Sequence, residues 1–520
     1  MSLSALDTGV FLAYVVALIA VALWISREKA GHEKDTKDYF LAGNSLPWWA
    51  IGASLIAANI SAEQIIGMSG SGFAIGLAIS SYEWMAAITL IIVGKYFLPI
   101  FLKRGIYTMP QFLEQRYDHS VRTVLAIFWL AVYVFVNLTS VLWLGALAIH
   151  TIAGVDMVWG MLFLATVSVA YSLYGGLKAV AMTDIIQILI LVFGGLLLTY
   201  ICLDLLGEGQ GVVAGFANLT ARVPEKFDMI LSKDNPNYIN LPGLSVLIGG
   251  MWIMNLSYWG FNQYIIQRTL AAKSLAEGQK GIAFAAYLKL LMPIIVVLPG
   301  IAAAVLTPEL SRPDQAYPSM MQLMPVGIKG LVFAALVAAI VSSLGSMTNS
   351  ISTIFTMDLY SWYRPGLSQK HYVTVGRAVS FGSLVLAMIC AKPLLGNFDQ
   401  AFQYIQEFTG FFTPGICVLF MLGMFWKKAN AASALAAAIG SFLLSLGLKW
   451  FWPTLPFIDR VGLVFLLCVG LAVITVLATG NKDQEKAVEL GDVDFSTERS
   501  YKLHALAVTL ILIALYTTWW

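Results

Sequence analysis

Charged residues are scarce in this sequence. Asp, Glu, Lys and Arg make up 12% of its 520 residues, about half the share usual in a soluble globular protein. Hydrophobic residues make up 59% and occur in long runs, and the mean hydropathy is +0.79. This composition excludes a soluble enzyme and predicts one membrane domain over 1–520, which crosses the bilayer many times.

Three further shortages exclude other classes of protein. The formal net charge is only +2, which excludes a strongly basic nucleic-acid-binding protein. The 4 cysteines stand singly in apolar stretches, without the CxxC spacing of a metal site, so we interpret them as packing residues. The 5 histidines fall at predicted helix ends or in loops, which leaves no buried pair for haem binding or proton relay.

Long apolar segments are abundant instead. A helix needs about 20 mostly apolar residues to cross a bilayer, and the sequence offers fourteen candidates. They are 8–25, 48–77, 81–101, 121–149, 158–174, 181–205, 243–262, 280–305, 328–356, 372–391, 399–426, 431–450, 461–479 and 503–519. The sequence therefore predicts an all-α multi-pass membrane protein with fourteen transmembrane helices.

The distribution of basic residues predicts the orientation of these helices. No Lys or Arg precedes the first segment, so we interpret it as a helix and not as a signal peptide. Connections that follow odd-numbered segments hold 21 Lys and Arg, and those on the other side hold 6. Since basic residues accumulate on the cytoplasmic side, both termini are predicted to lie outside the cytoplasm.

Polar residues interrupt the second segment. Its stretch AANISAEQIIGMSGSG contains Asn59, Ser61, Glu63 and Gln64 among several glycines. Small residues in such spacing also form helix-packing faces, which is the alternative interpretation. Packing does not require a Glu and a Gln together, however. We therefore predict unwound backbone here, which must line a cavity or be buried in protein.

The seventh segment, five segments later, shows the same anomaly in GGMWIMNLSYWGFNQ. Two interrupted helices at this separation are typical of five-helix inverted repeats, with the binding site where the interruptions meet. The second to sixth segments (48–205) and the seventh to eleventh (243–426) would be the repeats. The first segment and the last three would be accessory helices.

Ionisable residues inside apolar segments narrow the site. Glu83 and Lys289 are placed in the cavity, whereas Glu407 is interpreted as a structural ion-pair residue. Asp184 suits an interfacial helix cap and a functional role equally. Five donors and acceptors without a dominant charge favour a neutral, polyhydroxylated ligand: Gln64, Glu83, Asn255, Lys289 and Gln406. Candidate flat faces for its apolar side are Tyr82, Trp84, Tyr258, Trp259 and Phe402.

A second group of polar residues lies in ALVAAIVSSLGSMTNSIST, within the ninth segment. Ser342, Ser346, Asn349 and Ser350 form a stripe at helical spacing, with Ser343 beside it. Their hydroxyls could simply bond to the preceding helical turn. Hydroxyls together with freed backbone carbonyls are also the oxygen ligands that Na⁺ uses near a broken helix.

Several stretches together resemble the sodium–solute symporter family, in particular its bacterial sodium/galactose (sodium/glucose-type) branch. The stretches are DYFLAGNSLPWWAIGASLIAANISAEQIIGMSGSG, SYEWM, YGGLKAVAMTD, WGFNQYIIQRTLAAK, ALVAAIVSSLGSM, FQYIQE and GMFWKKANA. The resemblance implies a leucine-transporter-type fold with fourteen helices, Na⁺ as coupling ion and a bacterial inner-membrane location.

The resemblance also implies roles for individual residues. Sugar contacts would come from Gln64, Glu83, Asn255, Lys289 and Gln406. Gates would be formed by Met68, Tyr258 and Phe402. Sodium would bind carbonyl oxygens of Ala57, Ile60 and Ala339 and hydroxyls of Ser342 and Ser343, with Asp184 on the inward ion path. Two positions depart from the galactose pattern: Ala86 replaces a sugar-contacting Ser, and Ser257 replaces a Tyr.

The sequence thus predicts sodium-driven import of a sugar, such as galactose or glucose, by alternating access. Symport of a uronate or another carboxylate is the alternative, with Lys289 pairing the acid group. A membrane enzyme is a rival of another class, but the sequence shows no metal cluster, nucleophile–base pair or nucleotide loop. A channel is a third option, but paired polar sites at broken helices fit a closed, occluding pocket better.

Overall fold

A computed structural model describes residues 3–25, 44–106, 108–172 and 177–520. These residues form helices joined by connections of different lengths, the longest of them at 223–244 and 479–498. The first half of the chain contains α1 (Ala5–Ile25), α2 (Trp48–Asn59), α3 (Glu63–Ala74), α4 (Leu77–Arg104), α5 (Met109–Arg116), α6 (His119–Ala153), α7 (Met157–Ser172), α8 (Leu177–Leu206) and α9 (Val212–Arg222).

The second half of the chain begins with a helical turn at Ser245–Ile248. It continues with α10 (Gly250–Phe261), α11 (Gln263–Leu270), α12 (Leu275–Leu306), α13 (Ala316–Met321), α14 (Ile328–Tyr363), α15 (Gln369–Leu395), α16 (Ala401–Thr409), α17 (Thr413–Phe425), α18 (Ala431–Phe451), α19 (Phe457–Ala478) and α20 (Arg499–Thr518). Single 3₁₀ turns lie at Pro224–Lys226, Pro313–Gln315 and Leu490–Asp492.

Many of these helices are long and apolar enough to cross a bilayer. Nine pass that test within the described residues, and up to 11 if each of two bent pairs counts as one span. The bent pairs are α2 with α3, at 63°, and α16 with α17, at 47°. An all-helical multi-pass membrane protein is therefore confirmed. The second bend was not predicted, although Gly410 and Pro414 flank it.

Side chains at the helix N-termini explain several boundaries. Asp118 accepts the Val121 N–H at 3.1 Å at the start of α6. Ser274 does the same for Glu277 at 3.3 Å in α12. Such caps satisfy backbone donors that have no partner in the first helical turn.

The helices differ in how much of their surface the protein buries. In the most apolar window of α14, 89% is buried, against 11% in α20. Helix α14 is therefore central, and α20 presents most of its surface to the surroundings, which are lipid for an apolar span. Helix α14 contacts α1 and α8, whereas α2 contacts α12 and α8.

Two glycines bring α2 and α12 into backbone contact. A Cβ at Gly52 would lie 2.7 Å from the Gly281 carbonyl oxygen, and a Cβ at Gly281 would lie 2.9 Å from the Trp48 oxygen. Any side chain at either position would therefore force the helices apart. This close approach sets the distance between the break after α2 and the part of α12 that carries Lys289.

Candidate functional site

The interruption predicted in the second segment is confirmed. Helix α2 ends at Asn59, Ile60 is extended (φ −73°, ψ 91°), and α3 begins with a π-helical turn at Glu63–Gly67. The Ser61 N–H donates to the Asn59 carbonyl at 2.9 Å, not to Ala57, its partner in a regular helix. The break thus exposes polar backbone inside the protein, where it can face a ligand.

A cavity of about 100 Å³ opens beside this break. A single water needs only about 10–15 Å³ by the same measure, so there is space for a small molecule. Its walls come from α2, α3, α4, α6, α10, α12, α16 and α17. Its polar and aromatic lining includes Asn59, Glu63, Gln64, Tyr82, Glu83, Trp129, Tyr133, Asn137, Asn255, Ser257, Tyr258, Trp259, Asn262, Lys289, Phe402 and Gln406.

An ion pair lies at the cavity wall. Lys289 Nζ lies 2.6 Å from Glu83 Oε2, and the two side chains are only 1% and 3% exposed. The Gln64 amide donates to the other Glu83 oxygen, and Lys289 also donates to Asn59 Oδ1. The Lys289 ammonium lies 4.9 Å from the Trp259 ring centroid. The pair has no net charge, and its amide neighbours supply both donors and acceptors.

The structure brings all five predicted sugar residues to this cavity: Gln64, Glu83, Asn255, Lys289 and Gln406. The two positions that depart from the galactose pattern, Ala86 and Ser257, line it as well. Asn255 is anchored by an N–H donated to the Met251 carbonyl at 3.1 Å. This bond fixes the orientation of the Asn255 amide, and the backbone of α10 stays helical.

The predicted gate residues have different positions. Tyr258 and Phe402 line the cavity, and Phe402 meets Tyr82 edge to face at 5.1 Å between ring centroids. Met68 is fully buried, and its sulfur lies 3.6 Å from the Gln64 amide nitrogen. Trp84, a predicted flat face, packs against Tyr516 at 5.7 Å instead of lining the cavity.

Sequence reasoning missed part of the cavity wall. Tyr133 and Asn137 lie in another π-helical turn, Tyr133–Leu138, within α6. The Tyr133 hydroxyl donates to Asn262 Oδ1 at 2.8 Å, and the Asn137 amide donates to Glu63 at 3.4 Å. Asn137 was the available signal, because a buried Asn within an apolar span usually faces protein.

A second, smaller pocket lies between α2, α8, α11 and α14. Its lining is Ala57, Ala58, Asp184, Tyr264, Arg268, Ser342, Ser343, Ser346 and Met347. The Ser342 hydroxyl donates to Asp184 Oδ1 at 2.9 Å. Because its proton is directed to the carboxylate, the lone pairs of its oxygen stay available to a cation. The pocket thus gathers Ala57, Ser342 and Ser343 of the predicted sodium ligands.

The remaining predicted ion residues lie close by. Ile60 comes three residues after Ala57, directly after the end of α2, and Ala339 precedes Ser342 by one turn on α14; both are buried. Asp184 lies about two turns inside α8, and Arg268 approaches it at 3.8 Å. The helix-cap alternative for Asp184 is therefore wrong, because α8 begins well before it, at Leu177.

Glu407 belongs to neither pocket. Lys449 donates to it at 2.6 Å, and Arg460 at 3.3 Å. These contacts join α16 to α18 and α19. The structural ion pairing predicted for Glu407 is confirmed.

Comparison with known proteins decides the family. The family model described as the sodium:solute symporter family matches residues 39–440. The chain belongs to the sodium:solute symporter family. It is therefore a secondary transporter and not an enzyme, and Na⁺ is its coupling ion.

Relatives of this sodium:solute symporter cover most of its length. A sodium/glucose cotransporter from Vibrio parahaemolyticus is 52% identical over 100% of this chain and 99% of the relative. The human sodium/myo-inositol cotransporter 2 is 35% identical over 85% of this chain and 69% of the relative.

Solved structures show the same fold. A Na⁺-coupled sialic acid symporter in a substrate-bound, outward-open state gives a TM-score of 0.77 at 24% identity, covering 91% of this chain and 98% of that one. Mhp1, a nucleobase-cation-symport-1 family transporter, gives a TM-score of 0.53 at 14% identity, covering 88% and 98%.

Proposed function

We propose that this symporter uses the sodium gradient to import a neutral sugar of the galactose or glucose type. The observation that carries the proposal is the polar network Gln64–Glu83–Lys289–Asn59 at the cavity wall. It lies next to a break whose other flank, at Ala57, borders the ion pocket. One interrupted helix therefore serves both sites.

The chemistry of the cavity favours a neutral ligand. A sugar hydroxyl both donates and accepts, so it can bond to carboxylate, amide and ammonium groups without bringing charge. Lys289 is already paired with Glu83, and Glu63 adds a further carboxylate to the lining. A uronate would meet these acids, which argues against the carboxylate alternative. The sodium/glucose and sodium/myo-inositol relatives support a polyol substrate.

The five cavity residues would hold the sugar: Gln64, Glu83, Asn255, Lys289 and Gln406. Tyr258 would close the inner side, and Met68 and Phe402 the outer side. Sodium would be bound by Ala57, Ile60, Ala339, Ser342 and Ser343, with Asp184 on its path to the cytoplasm. The membrane potential would add about 2.3 kcal/mol per charge for every 100 mV.

The architecture proposed for alternating access has fourteen spans in a single transport domain over 1–520. It is a leucine-transporter-type fold in which the spans of 48–205 and 243–426 form two inverted repeats. The first span and the last three are accessory. The protein would lie in a bacterial inner membrane with both termini outside. The break after α2 and the short helices α10 and α11, separated at Asn262, support this arrangement because they fall in the first span of each repeat.

The test is uptake of labelled solutes into proteoliposomes under an imposed sodium gradient. The panel contains D-galactose, D-glucose, myo-inositol and D-galacturonate. We expect sodium-dependent accumulation of a neutral member, abolished in Lys289→Ala. The matched control is Lys427→Ala, since Lys427 is a half-exposed residue paired with Glu489 outside both pockets. Uptake driven by a proton gradient without sodium, or of galacturonate alone, would contradict the proposal.

A further inference from the structure

A hydrogen-bonded chain of side chains joins the ion pocket to the sugar cavity. Tyr264 lines the ion pocket, and its hydroxyl lies 3.0 Å from the hydroxyl of Tyr258, which lines the sugar cavity. Tyr258 in turn accepts the Asn59 amide N–H at 3.0 Å, and Asn59 accepts from Lys289. Tyr264 is thus the member of this hydrogen-bonded series that lines the ion pocket.

Helix α11 also carries the cation that faces Asp184. Arg268 lies one turn after Tyr264 and 3.8 Å from the Asp184 carboxylate. Its guanidinium donates to the main-chain carbonyl of Tyr264 and to the Ser54 hydroxyl on α2, the latter at 3.2 Å. One short helix therefore contacts the carboxylate of the ion pocket at one turn and the inner-gate tyrosine at the previous turn.

We propose that Tyr264 is a positioning residue that couples sodium binding to the inner gate through its hydroxyl bond to Tyr258. The inference rests on the proposed function and adds to it the route between the two sites. A cation bound by Ser342 would lie near the Asp184 carboxylate, because that carboxylate accepts the Ser342 hydroxyl. Its positive charge would weaken the attraction between Asp184 and Arg268 on α11. The Tyr258–Tyr264 bond passes that change to the gate.

Tyr264 is buried and Tyr258 is partly buried, and this low exposure strengthens the bond between them. Tyr264 is 3% exposed and packs against Tyr258 and Tyr133, with ring centroids at 6.2 and 5.9 Å. A hydroxyl in such surroundings has little water to turn to if its partner moves away, so the two phenols are held together. Sites that share such a contact influence each other reciprocally.

The experiment compares the D-galactose and D-glucose affinities of purified protein at limiting and at saturating sodium. The ratio of the two affinities measures coupling. We expect Tyr264→Phe to reduce this ratio roughly three- to tenfold, the effect of one lost hydrogen bond. The affinity at saturating sodium should stay nearly unchanged, because the cavity wall is intact. If the Tyr264→Phe variant does not fold, Tyr258→Phe removes the same hydrogen bond from its other end.

Two further variants separate coupling from a structural role. Tyr501→Phe is the matched control, since it removes a buried hydroxyl that donates to the Ile91 carbonyl at 2.7 Å, outside both pockets. Its ratio should equal that of the wild type. In a Tyr258→Phe background, adding Tyr264→Phe should reduce the ratio no further, because the bond is already lost.

Sugar binding to the wild-type protein tests the proposed function independently of the variants. If neither sugar binds in a sodium-dependent way, the proposed function is refuted, and the inference with it. If the wild type shows coupling and Tyr264→Phe keeps the full ratio, the inference alone is overturned. The same follows if Tyr264→Phe lowers both affinities equally.

Discussion

At the residue scale, the Glu83–Lys289 pair combines binding with stability. Lys289→Ala would leave a buried carboxylate without its cation, which typically costs about 3–5 kcal/mol. The double variant Glu83→Gln/Lys289→Met removes both charges, so we expect it to regain most of the stability without recovering sugar binding. Loss of one polar contact to the sugar should weaken binding about 5- to 150-fold.

Thermal unfolding in detergent and sugar binding to the purified protein measure the two effects separately. The control pair is Lys427→Met/Glu489→Gln, because these groups are 47% and 64% exposed and should tolerate neutralisation. A Lys289→Ala protein that melts and binds like the wild type would show that the pair is not the centre of the site.

Ser343 offers a test of the ion pocket that leaves the cavity wall untouched. Ser343→Ala removes one hydroxyl from a proposed five-oxygen site and keeps α14 intact. We expect a large increase in half-saturating sodium, with normal sugar affinity once sodium is saturating. Uptake as a function of sodium concentration gives both values. The control is Ser350→Ala, the same change on the same helix but outside the pocket, which should leave the half-saturating sodium concentration unchanged. If Ser343→Ala also leaves it unchanged, Ser343 is a packing residue and not a sodium ligand.

At the element scale, sequence reasoning worked where polar residues conflict with an apolar span. Asn59 and Glu63 revealed the break after α2, and Glu83 and Lys289 identified the cavity. It failed where the number of residues per turn changes within a helix. A π-helical turn such as Tyr133–Leu138 adds a residue to one turn and rotates everything that follows. A pattern read with 3.6 residues per turn therefore misassigns the face that carries Asn137.

The contacts of Tyr258 and Tyr264 were also beyond sequence reasoning. Their hydroxyls meet across the α10–α11 connection at Asn262, so they depend on the angle between two short helices. Nothing in residue spacing specifies that angle. The family resemblance predicted the gate role of Tyr258 but offered no role for its neighbour.

The turn Pro313–Gln315, between α12 and α13, makes the stability of the protein depend on pH. Asp314 is 2% exposed, and its Oδ2 accepts the Ala401 N–H at 2.9 Å at the start of α16. Burial raises the pKa of Asp314 to about 7, with Asp399 acting in the same direction and the Ala401 bond and Arg312 opposing it. The folded state therefore favours the protonated form of Asp314. The contribution of this group to the stability of the folded protein is present at low pH and is lost as the pH rises through about 7.

We expect Asp314→Asn to remove part of this loss, because an amide stays neutral at every pH. Thermal unfolding between pH 5 and pH 8 should show a flatter slope, with a difference of at most about 1.4 kcal/mol per pH unit. Asp228→Asn, a change at an exposed carboxylate, is the control. An Asp314→Asn slope identical to that of the wild type would contradict this assignment.

At the scale of the whole molecule, the distribution of basic residues predicts both termini outside the cytoplasm. Single cysteines at Ser4 and at Thr517 can test this, since both positions lie near the chain ends, while three of the four native cysteines are buried. We expect membrane-impermeant maleimide to label both in intact cells. Labelling of only one position would require an odd number of spans. Labelling of both only after the cells are broken would require the opposite orientation.

The contact between Gly52 and Gly281 has a consequence for how the molecule moves. Where two backbones touch without side chains between them, neither helix can slide or tilt independently without opening an empty gap. Helices α2 and α12 should therefore travel as one rigid piece. Asn59 and Lys289 would then keep their mutual geometry through the transport cycle, and this part of the cavity wall would pass from the outward-facing to the inward-facing state already assembled.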